Sequence, residues 1–395
     1  MDRALRDGYE VHRAALAHGC DVTLLPRQVM EVEDKESGVR TTFTHGLPEA
    51  SKLASVTYVQ DIRMRRDMVS RAGYSVPSGA TYAMGGRPES PFQYAGKKLG
   101  YPVVVKPAVG DNTIDVLTGI ADDQQLQSAI DYLRTPPAER PGYARAAYAL
   151  TELREPGEYE GKAVVPDAYR FMIEDQVQGD YLRFVVLGGR VINAMLCPDG
   201  PWKTDAEDLQ DVTDEVHSTL EEIALGAVAA VPGIELAALD LVVPDHRAAT
   251  KPEAAKVVEY SERPWLAVQH AFSPELAAEL ADQVLAAGFD GTLRESGTTA
   301  AVEFTIDGSV HPGETLSALE RTCTERGLVG EASVTDPAMG HVSGTVQGDP
   351  AEIAWLFEQL VGEGLNGQRA MLVEERQAEA FRASEFQTVR EATAG

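Results

Sequence analysis

The chain has 395 residues and a mass of 42.6 kDa, enough for two or three compact domains with a substantial core. Its 35 Lys and Arg against 62 Asp and Glu leave a net charge of −27, a surface that repels phosphate backbones and argues against nucleic acid as a partner. With 44% hydrophobic residues and no apolar run near the ~18 of a membrane span, the composition excludes a disordered chain and predicts no membrane partner.

Net charge says nothing about one cleft, so a local basic site for a phosphorylated ligand stays open. Residues 1–7 carry no apolar stretch, and no secretory signal is expected. Cys20, Cys197 and Cys323 are far apart and odd in number, unlike a disulfide framework or a metal cluster. A reducing, cytoplasmic setting is the expectation.

The first 75 residues read as helix, strand and helix. Residues 4–18 favour helix until Gly19, and Asp21 to Leu25 form a short apolar run. A second amphipathic helix is expected over 62–72, followed by the breakers of 74–79. Strands are predicted at 102–107 and 116–120, separated by a small-residue loop, and a helix with acidic residues in its first turn at 122–133. Residues 135–165 read as an insertion, and 171–174 resume a strand. Gly188 and Gly189 between two apolar runs predict a hairpin, since both accept positive φ. A helix over 213–230, strands at 239–243 and 256–260, and a helix over 273–287 complete this region. The last hundred residues show strand, helix, strand, strand, helix and strand, the βαββαβ succession of a ferredoxin-like unit.

Lys106, one of only nine lysines, ends an apolar strand just before the small-residue loop. A solvent-facing strand end explains it as well as a ligand role does. From Glu174 to Asp180 the chain offers acceptors for an adenine amino group and ribose hydroxyls, or simply a polar turn before the hairpin. Asp240 and Glu259 each interrupt an apolar strand. Buried carboxylates need a partner or a cation. Two of them on consecutive antiparallel strands could share Mg²⁺, or each could lie on the strand's solvent face.

Taken together and in this order, residues 57–272 resemble the ATP-grasp superfamily, in the branch of cyanophycin synthetase and bifunctional glutathione synthetase. The resemblance is carried by Asp61 through Gly73 to Val76-Pro77-Ser78-Gly79, by Val103-Val104-Val105-Lys106-Pro107, and by Gly179-Asp180-Tyr181-Leu182-Arg183 with Gly188-Gly189-Arg190. Thr213-Asp214-Glu215-Val216-His217, Leu239-Asp240-Leu241 and Val258-Glu259-Tyr260-Ser261 complete it. It implies an α+β chain with an N-terminal α/β segment at 1–75, a two-lobed ATP-grasp domain at 76–290 and a ferredoxin-like domain at 296–395. It implies a ligase that uses ATP and Mg²⁺ to join small-molecule carboxylate and amine substrates, amino acids or a small peptide, through an acyl phosphate. By the same resemblance Lys106 contacts phosphate, Glu174 adenine and Asp180 ribose. Asp240, Glu259 and Ser261 would hold Mg²⁺, and Arg183 would lie near the acyl phosphate. Members are often dimers, so a homodimer is compatible with it.

The chain departs from the family at four positions. Ile62 replaces a lysine, for which Arg63, Arg65 or Arg66 could compensate. Thr113 and Asp115 replace glycines of the phosphate loop, and Asp115 would repel phosphate if it pointed inward. Ser261 replaces an asparagine, with Glu262 beside it. These departures keep a second reading in play, a degenerate ATP-grasp protein that binds nucleotide in a regulatory or structural role. Activation of the carboxylate for another acceptor, such as a thiol, is a third. The selectivity loop of the first reading would be 197–203, with Trp202 and Lys203. The C-terminal unit resembles acylphosphatase at Gly340-His341-Val342 and Gly348-Asp349. It has no arginine over 308–314 and Asp336 at the asparagine position, which implies an accessory or dimerisation module.

Overall fold

The computed structural model describes residues 5–84, 89–108, 115–135, 139–140, 157–159, 162–164, 170–201, 205–289 and 293–389. Thr113, Trp202, Lys203 and most of the 135–165 insertion lie outside them. The chain is α+β and divides into two compact units, Met1–Glu49 with Ser273–Gly395, and Ala50–Phe272.

The first unit opens with α1 (Arg6–Ala17), β1 (Asp21–Leu25), β2 (Val29–Asp34), β3 (Val39–Thr44) and β4 (Leu47–Pro48). The second begins at α2 (Leu53–Gln60) and α3 (Ile62–Arg71), where Asp61 caps α3 by accepting from the Arg63 amide. It continues with β5 (Gly79–Ala83), α4 (Glu89–Tyr94), β6 (Val103–Pro107), β7 (Leu117–Ile120) and α5 (Asp123–Arg134). Two short strands, β8 (Gly157–Tyr159) and β9 (Lys162–Val164), precede β10 (Arg170–Asp175), β11 (Asp180–Leu187), β12 (Arg190–Leu196) and β13 (Gln210–Asp211). The unit ends with α6 (Ser218–Ala229), β14 (Leu236–Val243), β15 (Lys256–Ser261) and α7 (Ala267–Phe272). The chain then rejoins the first unit through α8 (Pro274–Ala287), β16 (Ala300–Asp307), α9 (Pro312–Glu325), β17 (Val329–Asp336), β18 (His341–Gly348), α10 (Pro350–Val361), β19 (Leu372–Gln377) and β20 (Phe386–Val389).

In the first unit the strands form one nine-stranded sheet, ordered β20-β17-β18-β16-β19-β1-β2-β3-β4. The expected βαββαβ succession is present from β16 to β19. Its β19 does not end the sheet, because β1 pairs with it antiparallel, Val22 opposite Glu375 and Leu24 opposite Val373. The N-terminal strands thereby cover what would have been a bare edge. This moves the expected boundaries. Residues 1–49 and 273–290 belong with the C-terminal unit, while 50–75 belong with the central one. Strands β2 to β4 were not anticipated, although the alternation of buried Met30 and Val32 with more open Glu31 and Glu33 follows a strand period.

The central unit holds two main sheets. One is four-stranded, β5-β10-β6-β7, with Val103, Val105, Phe171 and Ile173 packed on Leu126, Ile130 and Leu133 of α5. The other is five-stranded, β13-β12-β11-β14-β15, with Leu182, Phe184, Leu239 and Leu241 packed on Leu220, Ile223 and Ala227 of α6. All eight residues of β14 are buried, so an acid within it cannot face solvent. The hairpin between β11 and β12 turns at Gly188 and Gly189, at φ 56° and 72°, as their sequence implies. The helix expected over 213–230 starts later, at Ser218, because the His217 side chain accepts from the Thr219 amide and caps it.

Candidate functional site

A cleft of about 600 Å³ in the central unit is lined by β6 and β10 of the smaller sheet and by β14 and β15 of the larger. Lys106, Glu174 and Glu259 all line it, with Val104, Thr118, Asp175 to Gly179, Tyr181 and Val258. Lys106 is 3% exposed on β6. On β10 Met172 faces Lys106 and Glu174 faces Val104, which sets Glu174 diagonal to the lysine. The Lys106 Nζ lies 2.8 Å from Glu174 Oε2 and 3.3 Å from Glu259 Oε2, and donates to the Val258 carbonyl at 3.0 Å. Burial lowers the lysine pKa, against the pull of Glu174. Three strands from residues 106, 174 and 259 thus bring one cation and two carboxylates together.

Two arginines of α3 join them. Arg65 pairs with Glu259 and donates to the Val59 carbonyl at 2.8 Å. Arg66 pairs with Glu174 and donates to the Pro77 carbonyl. Arg63 turns instead to Asp61, its side chain 43% exposed. Of the three arginines that could replace the missing lysine, Arg65 and Arg66 reach the site. Ile62 is buried beside them and packs without charge.

Asp240 and Glu259 face each other across β14 and β15, next to a bulge, and Arg183 of β11 faces Asp240 on the other side. The row Arg183, Asp240, Glu259 therefore lies on one face of three adjacent strands. Arg183 is fully buried and grips both oxygens of Asp240, with Nε 2.7 Å from Oδ1 and Nη2 2.8 Å from Oδ2. The Tyr181 hydroxyl donates to the same Oδ2 at 2.8 Å. Neither Arg183 nor Asp240 lines the cleft.

The donor set expected for Mg²⁺ has suitable chemistry, two carboxylates and a hydroxyl. Its atoms are already engaged, however. Both oxygens of Asp240 are taken by Arg183 and Tyr181. Glu259 is held by Arg65 and Lys106. Ser261 is fully buried, and its Oγ accepts from the Arg263 amide at 3.1 Å. Glu262, the neighbour that could stand in, accepts from Gln60 at 2.8 Å. As folded, each of these residues already has a protein partner.

Asp180 is turned away from the cleft. It accepts from the His246 amide at 3.0 Å and lies 2.7 Å from His246 Nδ1. Against the burial that would raise it, these bonds hold its carboxyl below the usual carboxylate range. Asp175, one residue past Glu174, also lines the cleft, and burial raises its pKa. Asp115 is also turned away. It sits at φ 57°, accepts from the Tyr132 hydroxyl at 2.9 Å and pairs with Arg140. The repulsion that an inward acid would bring is absent at this position.

Sequence reasoning missed Tyr181 and Asp175 as site residues. Both lie inside the stretch it singled out, but only the fold shows which side chains face the cleft.

No family model matches the chain, and no curated protein matches it. Among solved structures, a bifunctional glutathione synthetase from Pasteurella multocida is similar at 15% identity and a TM-score of 0.37, covering 67% of this chain and 41% of that one. The chain thus spans less than half the length of that synthetase. A D-alanine–D-alanine ligase from Bacillus anthracis complexed with ATP is similar at 15% identity and a TM-score of 0.40, over 61% of this chain and 67% of that one. VanG D-Ala:D-Ser ligase from Enterococcus faecalis is similar at 16% identity and a TM-score of 0.41, over 61% and 64%.

Proposed function

We propose that this chain is an ATP-dependent carboxylate–amine ligase of the ATP-grasp type. The observation that carries the reading is the convergence of Lys106 with Glu174 and Glu259 at one two-sheet cleft, each of these carboxylates also held by an arginine of α3. Arg65 and Arg66 offset Glu259 and Glu174, so Lys106 is the cation that faces the cleft, where Asp175 also lies. A buried ammonium of this kind can meet a phosphate group, and its low-dielectric surroundings strengthen that contact.

In this reading Lys106 exchanges part of its pairing with Glu174 and Glu259 for the phosphates of ATP. The segment from Asp175 to Gln178 lines the cleft beside them and supplies acceptors for the base. A substrate carboxylate oxygen attacks the γ-phosphorus and ADP leaves. The amine nitrogen then attacks the acyl carbon, phosphate departs and the amine proton passes to solvent. The protein's contribution is positioning and charge stabilisation. No step passes through Mg²⁺, because the residues expected to hold it are otherwise engaged.

The test is amine-dependent release of ADP and phosphate from ATP over a panel of amino-acid pairs and small peptides. Turnover that disappears in Lys106→Ala and Glu259→Ala supports the ligase. The engagement of Asp240 and Glu259 favours a second reading, a nucleotide-binding protein without turnover. ATP binding with no product across the whole panel would establish that one instead.

A further inference from the structure

We infer that Arg65 and Arg66 are positioning residues: they hold Glu259 and Glu174 in place, so that Lys106 can leave both carboxylates for an anionic ligand in the cleft. The inference rests on the nucleotide reading above and concerns what sets Lys106 free to meet phosphate.

The carboxylate oxygens are divided between the cations. Lys106 Nζ takes Oε2 of Glu174 at 2.8 Å and Oε2 of Glu259 at 3.3 Å. The guanidinium groups take the other two, Arg66 pairing with Oε1 of Glu174 and Arg65 with Oε1 of Glu259. The order is therefore Arg66, Glu174, Lys106, Glu259, Arg65, with the charge alternating at every step. Glu174 is 2% exposed and Glu259 3%. Each keeps one cation when Lys106 departs. Without its arginine, the same departure would strand a buried carboxylate, which is costly.

Position separates the two kinds of cation. Lys106 and Glu259 line both the cleft and a separate small cavity, whereas Arg65 and Arg66 line that cavity and not the cleft. Both arginines are also anchored to backbone, Arg65 by donating to the Val59 carbonyl and Arg66 to that of Pro77. A planar guanidinium with several donors suits a fixed role between two partners, and it stays charged at any working pH. The lysine, a compact charge on a flexible stem, suits the moving one.

The local field agrees with this division. Burial lowers the Lys106 pKa, Glu174 opposes the burial, and Arg65 and Arg66 lower it further. Asp175 and Asp199 are the other charged groups lining the cleft. Removing a guanidinium would therefore tighten the hold of the carboxylates on the ammonium.

The test uses the full chain with Arg66→Gln, because Arg66 is the less buried of the two, its side chain 17% exposed against 4% for Arg65. Calorimetry reads ATP binding in the presence of Mg²⁺. Arg66→Gln is expected to bind ATP more weakly by about tenfold or more, and Arg66→Lys, which keeps the charge, to stay within about threefold of the wild type. An unchanged affinity in Arg66→Gln would overturn the inference and leave the nucleotide reading standing.

A second measurement needs no nucleotide. The nine lysines are labelled with ¹³C at Cε, and Lys106, assigned through Lys106→Met, is titrated by NMR. It should titrate below 10.5 in the wild type and in Arg66→Lys, and about one pH unit higher in Arg66→Gln. A Lys106 that titrates above 10.5 in the wild type, or at the same pH in the wild type and Arg66→Gln, would overturn the inference. A wild-type chain that binds no ATP would remove the nucleotide reading, and this titration would still decide whether the arginines hold the carboxylates away from Lys106.

Discussion

His12 offers the sharpest test of how charge is organised in the unit formed by the two ends of the chain. It sits on α1, fully buried, with Nε2 2.9 Å from Glu375 Oε1 on β19 and Nδ1 3.5 Å from Glu358 Oε1 on α10. Gln28 steadies Glu358 from the far side, its Nε2 donating to Oε2 at 3.1 Å. Burial alone would lower the imidazole pKa, but Glu375 and then Glu358 raise it from 6.5 to about 10. His12 is therefore a buried cation at neutral pH. Because the folded value lies above the unfolded one, its stabilisation is complete below pH 6.5 and is lost as pH rises through about 10. At ~1.4 kcal/mol per pH unit, that displacement sets a ceiling of about 5 kcal/mol.

The perturbation is His12→Gln, which removes the cation and leaves Glu358 and Glu375 buried without it. Breaking a buried pair in this way costs about 3–5 kcal/mol, consistent with the linkage ceiling. The assay is amide hydrogen exchange of α1 and β19 in the full chain, followed through urea at several pH values, since it reports the local unit rather than a global average. The variant should be less stable near pH 7 by about 3–5 kcal/mol, and the gap should close above about pH 10 as the wild-type protein loses its proton. A gap that stays constant across this range would mean that His12 contributes packing and not charge.

Two further outcomes are expected. Gly179 holds φ 146°, and a Cβ there would stand 2.2 Å from the Val243 carbonyl oxygen. Gly179→Ala should therefore cost at least about 2 kcal/mol and weaken ATP binding, read by thermal unfolding and calorimetry; an unchanged Tm would contradict the close approach. Burial pushes the thiols of Cys20, Cys197 and Cys323 up to about 12. All three should resist alkylation near pH 8 in the native chain and react only in denaturant, counted by mass spectrometry; fast labelling of a native thiol would refute this.

Much of the candidate site could be read from the chain because its constituents carry local signatures. Lys106 ends a run of valines, Asp240 and Glu259 interrupt apolar strands, and the glycines of the β11–β12 hairpin stand side by side. The roles assigned by resemblance were harder to carry over. Asp180 and Asp115 occupy the expected stretches, yet His246 takes one and Arg140 and Tyr132 the other. Those partners lie 66, 25 and 17 residues away in sequence, so no local pattern announces them. Arg65 belonged to a group of three interchangeable arginines until helix phase, which carries Arg63 out to solvent and Arg65 inward, separated them.

The N-terminal strands show the same limit at the scale of the fold. Their alternation was legible, but their place beside β19 was not, because an edge strand pairs with whichever backbone the rest of the chain brings to it. Periodicity, breakers and glycines act over a few residues and are written in the chain directly. The −27 charge acts differently. It excludes a polyanion from the surface as a whole, while the paired charges around Lys106 arise only when α3, β6, β10, β11, β14 and β15 bring distant residues within a few ångströms, where Coulomb's law makes partners of them.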